Sequence, residues 1–299
     1  MAMKITMLGT GAAFPDPDRA QSGILVTLDN GSHYMFDCGA GTTHNMVRAN
    51  ANPAEVKTVF LTHLHHDHIC DFPLFAITGW MWNREGSPIV LGPKGTQHFC
   101  DHLFEGGAFD SDFRARGAYG ARQNNLDAVR PDVREVSPGL AYEDEDVRIL
   151  CDWVEHIPRE ISECFGIRLE AEGRSIAFSG DTAPCEAMVK LAKGVDVLFH
   201  ECTFPEVFIE YRAKGNVGIH AHTPPTELGK IAQQAGVKKL VATHFGHFDS
   251  TSPMIKTAGA PHMPVDLMGP HLMDDVVRDI RKNYDGELLL AHDLMRIDL

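Results

Sequence analysis

The chain has no CxxC pair, no basic run and no apolar stretch of membrane-spanning length, and each absence removes a class of function. Its seven cysteines, at 38, 70, 100, 151, 164, 185 and 202, are odd in number and irregularly spaced. Neither a disulfide framework nor a zinc ribbon follows from them; reduced thiols in a cytoplasmic protein are expected. Basic residues number 27 against 41 acidic ones, for a net charge of −14. Even the densest arginine region, Arg114, Arg116, Arg122, Arg130 and Arg134, is interleaved with Glu105, Asp110, Asp112, Asp127, Asp132 and Glu135. A general affinity for phosphate backbones needs clustered cations, so nucleic acid is not an expected partner. No segment reaches the roughly 20 apolar residues of a transmembrane helix. MAMKITMLGTG carries no basic region followed by an apolar stretch, so no signal peptide is expected and no membrane association either.

What is present is a 299-residue chain, long enough for a sizeable core. Strand-like segments recur at 3–8, 23–28, 33–38, 56–62, 88–92, 133–137, 146–155, 164–170, 174–179, 195–200 and 238–243. Asp29-Asn30-Gly31 between the second and third is a hairpin signal. Helices are expected within 41–50 and over 94–104, 184–193, 224–235 and 271–283. Another should follow Asp71, which can cap it ahead of Pro73, and Pro225 can start the helix at 224–235. Residues 105–132 have weak periodicity and read as an inserted loop or lid within a single domain spanning 1–299. Strands followed by helices in each half fit two sheets sandwiched between helices better than a doubly wound parallel sheet.

Residues 62–68, THLHHDH, follow the strand-like segment at 56–62. Residues two apart in extended chain point the same way, so His63 and His65 can share one ion. Asp67 and His68, at the turn into the next helix, face a neighbouring point. Imidazole with carboxylate suits zinc, iron or manganese. His66 is expected to be exposed. His156, Asp181, His200 and His244 share one context, each closing an apolar strand where a rigid sheet presents functional side chains.

HxHxDH, then a lone His, then an Asp in a GD pair, then a final His, together with LGTGAAFP, FDCGAGT and THFGH, resembles the metallo-β-lactamase superfamily over nearly the whole chain. The resemblance implies an αββα sandwich of two mixed sheets flanked by helices. It implies that His63, His65 and His156 hold one divalent ion, that Asp67, His68 and His244 hold a second, and that Asp181 bridges both. Zinc is expected, with manganese or iron also suited. Two ions about 3.5–4 Å apart share a water and lower its pKa toward roughly 7, giving a hydroxide that attacks phosphorus or a carbonyl carbon. Asp67 then orients that hydroxide or takes its proton; both roles stay open.

HECT at 200–203, HAHT at 220–223, GDTAP after Asp181, and THF at 243–245 resemble the RNase Z-like and arylsulfatase-like branch. There the residue matching His222 protonates the leaving oxygen and the one matching Glu201 holds that imidazole. His200 stays outside the metal set. Proteins of this branch that process tRNA carry a long arm between the lone His and the bridging Asp, whereas His156 and Asp181 stand 25 residues apart. The expected activity is hydrolysis of phosphodiesters or related small esters. A lactonase, thioesterase or weak β-lactamase is the alternative, a tRNA 3′ endonuclease is disfavoured, and a non-catalytic metal-binding sensor is a third possibility. A homodimer is implied by resemblance alone. Bland roles are expected elsewhere: Cys38 and Cys202 pack, Trp80, Met81 and Trp82 form core or pocket wall, and His98 and His102 share a polar helix face. His247 is either a support behind the ligands or solvated.

Overall fold

The computed structural model describes residues 3–214, 221–259 and 264–299, with the side chains of 121–124 excepted. Its backbone divides into two compact units, each built on one mixed seven-stranded sheet. The first unit comprises Met1–Gly9, Ala20–Ser137 and Asp293–Leu299. Its strands are β1 (Lys4–Gly9), β2 (Gly23–Thr27), β3 (His33–Phe36), β4 (Val56–Phe60), β5 (Ile89–Gly92), β6 (Asp132–Glu135) and the last strand of the chain, β14 (Arg296–Asp298). They lie in the order β14-β1-β2-β3-β4-β5-β6. Pairing is antiparallel from β14 to β3 and parallel from β3 to β6. The hairpin between β2 and β3 turns at Asp29–Gly31, where Gly31 takes φ 87° and the Asn30 side chain accepts from the Ser32 N–H at 2.9 Å.

The parallel half needs crossovers, and helices supply them: α1 (Thr42–Arg48), α2 (His66–Ile69), α3 (Phe72–Met81), α4 (Thr96–Phe104) and α5 (Asp110–Gly117). The Asp71 carboxylate caps a different helix from the one expected. Asp71 sits at the start of α3 but makes no side-chain cap there; it accepts from the Thr43 N–H at 2.7 Å, in the first turn of α1. The start of α1 has Gly41 at φ 92° and no side-chain cap of its own, so the carboxylate goes where an N–H is exposed.

Residues 105–132 are not irregular. They hold α5 and a 3₁₀ stretch over Gly120–Val129, and Phe113, Ala128 and Val129 are buried in the core of this unit. Trp80 Nε1 donates to the Asn125 carbonyl at 2.8 Å, and its ring meets Phe113 edge-on. The periodicity is weak because α5 buries little besides Phe113 and is supported outside by the pairs Asp110–Arg114 and Asp112–Arg116.

The second unit comprises Thr10–Arg19 and Pro138–His292. Its strands are β7 (Gly139–Glu143), β8 (Val147–Trp153), β9 (Phe165–Ala171), β10 (Arg174–Phe178), β11 (Val197–Glu201), β12 (Lys239–Thr243) and β13 (Glu287–Leu290). β7 to β10 form an antiparallel meander and β10 to β13 run parallel. Its helices are α6 (Glu186–Leu191), α7 (Glu206–Lys214), α8 (Pro225–Ala235), α9 (Pro253–Gly259) and α10 (His271–Arg281). Pro225 opens α8 and Gly236, at φ 64°, closes it. β7, β13, α7 and α9 were not expected from sequence. Leu198, Leu240, Phe208, Leu228 and Val276 lie in one continuous core. Among the described residues no helix is long and apolar enough to cross a membrane.

Candidate metal centre

Both sheets present polar side chains at strand ends, mostly of parallel strands, the usual position for ligands in open α/β sheets, with His156 following the antiparallel β8. In the first unit, β4 runs into Leu61, Thr62 and His63, while β3 runs into Asp37. Asp37 takes φ 59°, a left-handed conformation uncommon for a residue with a side chain. That turn aims its carboxylate back at the end of β4. Its Oδ1 accepts from the Thr62 N–H at 2.8 Å and its Oδ2 from the Thr62 hydroxyl at 2.9 Å. Oδ2 also accepts from His68 Nδ1 at 2.6 Å. His68 Nε2 then faces Asp67 Oδ2, 3.6 Å away. His63 Nδ1 lies 3.1 Å from the Thr62 hydroxyl, and its ring is 4.6 Å from that of His65. His63, Asp67 and His68 are buried and His65 is half-buried. The His66 side chain is 63% exposed, with its Nδ1 3.9 Å from Asp67 Oδ1. Gly39 lets this loop close: a Cβ there would stand 2.1 Å from the Asp67 carbonyl oxygen.

In the second unit His156 follows β8, Asp181 follows β10, Glu201 ends β11 and His244 follows β12. Gly180 at φ 57° and His244 at φ 58° turn the chain sharply there. The two Asp181 oxygens face different imidazoles. Oδ2 is 3.6 Å from His156 Nε2 and Oδ1 is 3.2 Å from His244 Nε2. His156 Nδ1 donates to the Ala221 carbonyl at 2.8 Å. A buried carboxylate facing imidazoles whose opposite nitrogens are engaged is the donor chemistry of a divalent zinc, manganese or iron site. The described residues of each unit therefore offer donors whose chemistry suits such ions.

Glu201 is 1% exposed and accepts from four donors. These are the Thr182 N–H at 2.9 Å, the Thr203 N–H at 3.2 Å, the Thr203 hydroxyl at 2.9 Å and His222 Nδ1 at 2.8 Å. Burial works to raise this carboxyl, but the charge of His222 and its hydrogen bond outweigh it and hold Glu201 below its usual range. Burial likewise works to lower His222, yet the Glu201 carboxylate, through charge and hydrogen bond, and then Asp181 push the imidazole up to about 9. Glu201, His222 and His244 also bring ligand atoms within 4.8 Å of one another. The short Glu201–His222 bond makes these two an acid–carboxylate pair first.

Other sequence candidates fall away from these groups. His200 is fully buried inside β11, its Nδ1 donating to the Glu201 carbonyl, and burial holds its pKa low. Burial pushes the Cys38 and Cys202 thiols well up, so neither is a nucleophile. His247 is buried against Phe14 rather than solvated. His98 and His102 are exposed on α4. Trp80 is core, whereas Trp82 is 45% exposed. His220, the first residue of HAHT, lies outside the described residues. The sequence reading assigned no role to Asp37, Thr62 or Thr203, although FDCG, LTH and HECT contain them.

Residues 3–250 match the family described as anti-Pycsar protein Apyc1. A ribonuclease Z of Mycobacterium marinum is 34% identical over 250 residues, covering 81% of this chain and 86% of that protein. The metallo-β-lactamase-fold protein YhfI from Bacillus subtilis has a TM-score of 0.70 at 18% identity, with 100% of both chains covered. Human tRNase Z, short form, has a TM-score of 0.66 at 22% identity, with 99% of both chains covered. At such identities the two structures speak for the fold alone.

Proposed function

This chain belongs to the family described as anti-Pycsar protein Apyc1, within the RNase Z-like branch of the metallo-β-lactamase superfamily, and from that premise we propose that it cleaves small phosphodiesters. A metal-dependent hydrolase is the broader class, carried by the fold, the relatives and the His/Asp groups. We assign His63, His65 and His156 to one ion and Asp67, His68 and His244 to a second, with Asp181 shared. The superfamily's ligand order and the donor chemistry of each set support this assignment. Ions held there supply Lewis-acid polarisation and a water acidic enough to ionise near neutral pH.

The observation that carries the phosphodiester reading is the buried Glu201–His222 pair. Attack on phosphorus expels an alkoxide, which needs a proton. His222 is held as an imidazolium at neutral pH by Glu201, and its Nδ1–H is already engaged. Its Nε2–H is therefore the proton available to a leaving oxygen. Asp67 positions the attacking water or accepts its proton. The Glu201 carboxylate accepts from His222 and keeps the ring's orientation fixed.

Leaving-group dependence tests this. His222→Ala should lower kcat on an alkyl phosphodiester by about 10²–10⁴ and affect a nitrophenyl diester far less, because nitrophenolate departs without a proton. Equal losses on both would overturn the acid role. Faster turnover of a lactone, thioester or lactam than of either diester would overturn the substrate class. A second reading, tRNA 3′-end cleavage, is favoured by the relative named ribonuclease Z. Against it, β9 and β10 between His156 and Asp181 are joined by only Glu172 and Gly173, which leaves no arm there. Precursor-tRNA cleavage at a rate matching the diester would decide for that second reading.

A further inference from the structure

We infer that Thr62 and Thr203 are positioning residues whose hydroxyls set the tautomers of His63 and His244. The inference rests on the ligand roles proposed above for those two histidines. Each threonine is buried, 2% and 3% exposed, and each hydroxyl stands between a carboxylate and an imidazole. Thr62 Oγ1 is 2.9 Å from Asp37 Oδ2 and 3.1 Å from His63 Nδ1. Thr203 Oγ1 is 2.9 Å from Glu201 Oε2 and 2.9 Å from His244 Nδ1.

A hydroxyl has one proton, and an ionised carboxylate only accepts. The threonine proton therefore goes to the carboxylate, and the hydroxyl oxygen accepts from the imidazole. That requires Nδ1 to carry the histidine proton, which leaves Nε2 with the lone pair a metal needs. In His244 this Nε2 is the nitrogen facing Asp181.

The same carboxylate serves a second imidazole directly. Asp37 takes the Nδ1–H of His68, and Glu201 takes the Nδ1–H of His222. Backbone N–H groups pin both carboxylates, Thr62 N–H on Asp37 and those of Thr182 and Thr203 on Glu201. The arrangement of carboxylate, threonine and two histidines thus occurs twice, at unrelated strand ends. In one the hydroxyl reaches the next residue; in the other it reaches a residue 41 positions on. A β-branched side chain suits the task because its χ1 is stiff.

The test compares Thr203→Val, Thr203→Ser, Thr62→Val and Thr62→Ser. In metal-free protein, ¹⁵N resonances of the imidazoles report the tautomer. We expect His244 to be Nδ1-protonated in the wild type and Thr203→Ser, and to lose that preference in Thr203→Val while His63 keeps it. Thr62→Val should give the converse. Zinc affinity, measured by chelator competition, should fall about 10–100-fold in each valine variant and recover in each serine variant. If a valine variant fails to fold, the alanine–serine pair at the same position gives the comparison. Valine or alanine variants with wild-type tautomers and wild-type zinc affinity would overturn the inference. A wild type that binds no zinc would sink the ligand assignment instead, and the tautomer comparison would still decide the role of the hydroxyls.

Discussion

At the scale of single residues, the Glu201–His222 pair has a consequence beyond chemistry. An imidazole raised to about 9 in the folded protein, against 6.5 when unfolded, stabilises the fold fully below pH 6.5. The stabilisation fades as pH rises and is gone above about 9. Denaturation midpoints of the metal-free protein should therefore show a loss of at most about 3 kcal/mol across that window, absent from His222→Gln. A wild type whose stability is flat from pH 6.5 to 9 would contradict the pairing. Asp181 is the other decisive side chain. With each of its oxygens facing a different imidazole, Asp181→Ala should lower bound metal to at most one ion per chain, read by elemental analysis. Full retention of metal and rate would remove the bridging assignment.

At the scale of elements, the Asp71 carboxylate belongs energetically to α1. Asp71→Ala should cost about 1 kcal/mol, the usual value of a lost N-cap. Hydrogen exchange should rise at the Thr43 amide rather than in the first turn of α3. Gly39 offers a sharper case. A Cβ 2.1 Å from the Asp67 carbonyl has no flexible neighbour to yield, so Gly39→Ala must push the β3–α1 loop away from α2. The expected loss is several kcal/mol, with reduced metal content, because Asp37 and Asp67 flank that contact. Unchanged stability in urea would show that the loop has slack the packing does not reveal. The helical content of 105–132 went unread for an identifiable reason. α5 buries little besides Phe113 and satisfies its outer face with ion pairs, so no 3.6-residue apolar period is written there.

At the scale of the whole molecule, metal and charge make the predictions. The ions proposed for these seven histidine and aspartate side chains would bind the native state and not the unfolded chain. Their removal by chelation should lower Tm as well as abolish turnover, and zinc or manganese should restore both. Less than one ion per chain after loading would refute the two-ion proposal. A net charge of −14 without clustered cations also predicts weak association with RNA.

The amino-acid sequence alone determined eleven of the strands, the helices with strong apolar periods, and the positions at which chemistry is presented, but not β7, β13 or β14. Those are local properties: THLHHDH is contiguous, and His156, Asp181 and His244 each follow a strand-like segment rich in apolar residues. Tertiary structure alone decided which oxygen each imidazole meets. Asp37 and Thr62 lie 25 residues apart and Thr203 and His244 lie 41 apart. Separations of that kind leave no periodic trace. A hydrogen bond forms where the donor and acceptor atoms come within about 3 Å, and the sheet register and the left-handed turns at Asp37 and His244 bring them there.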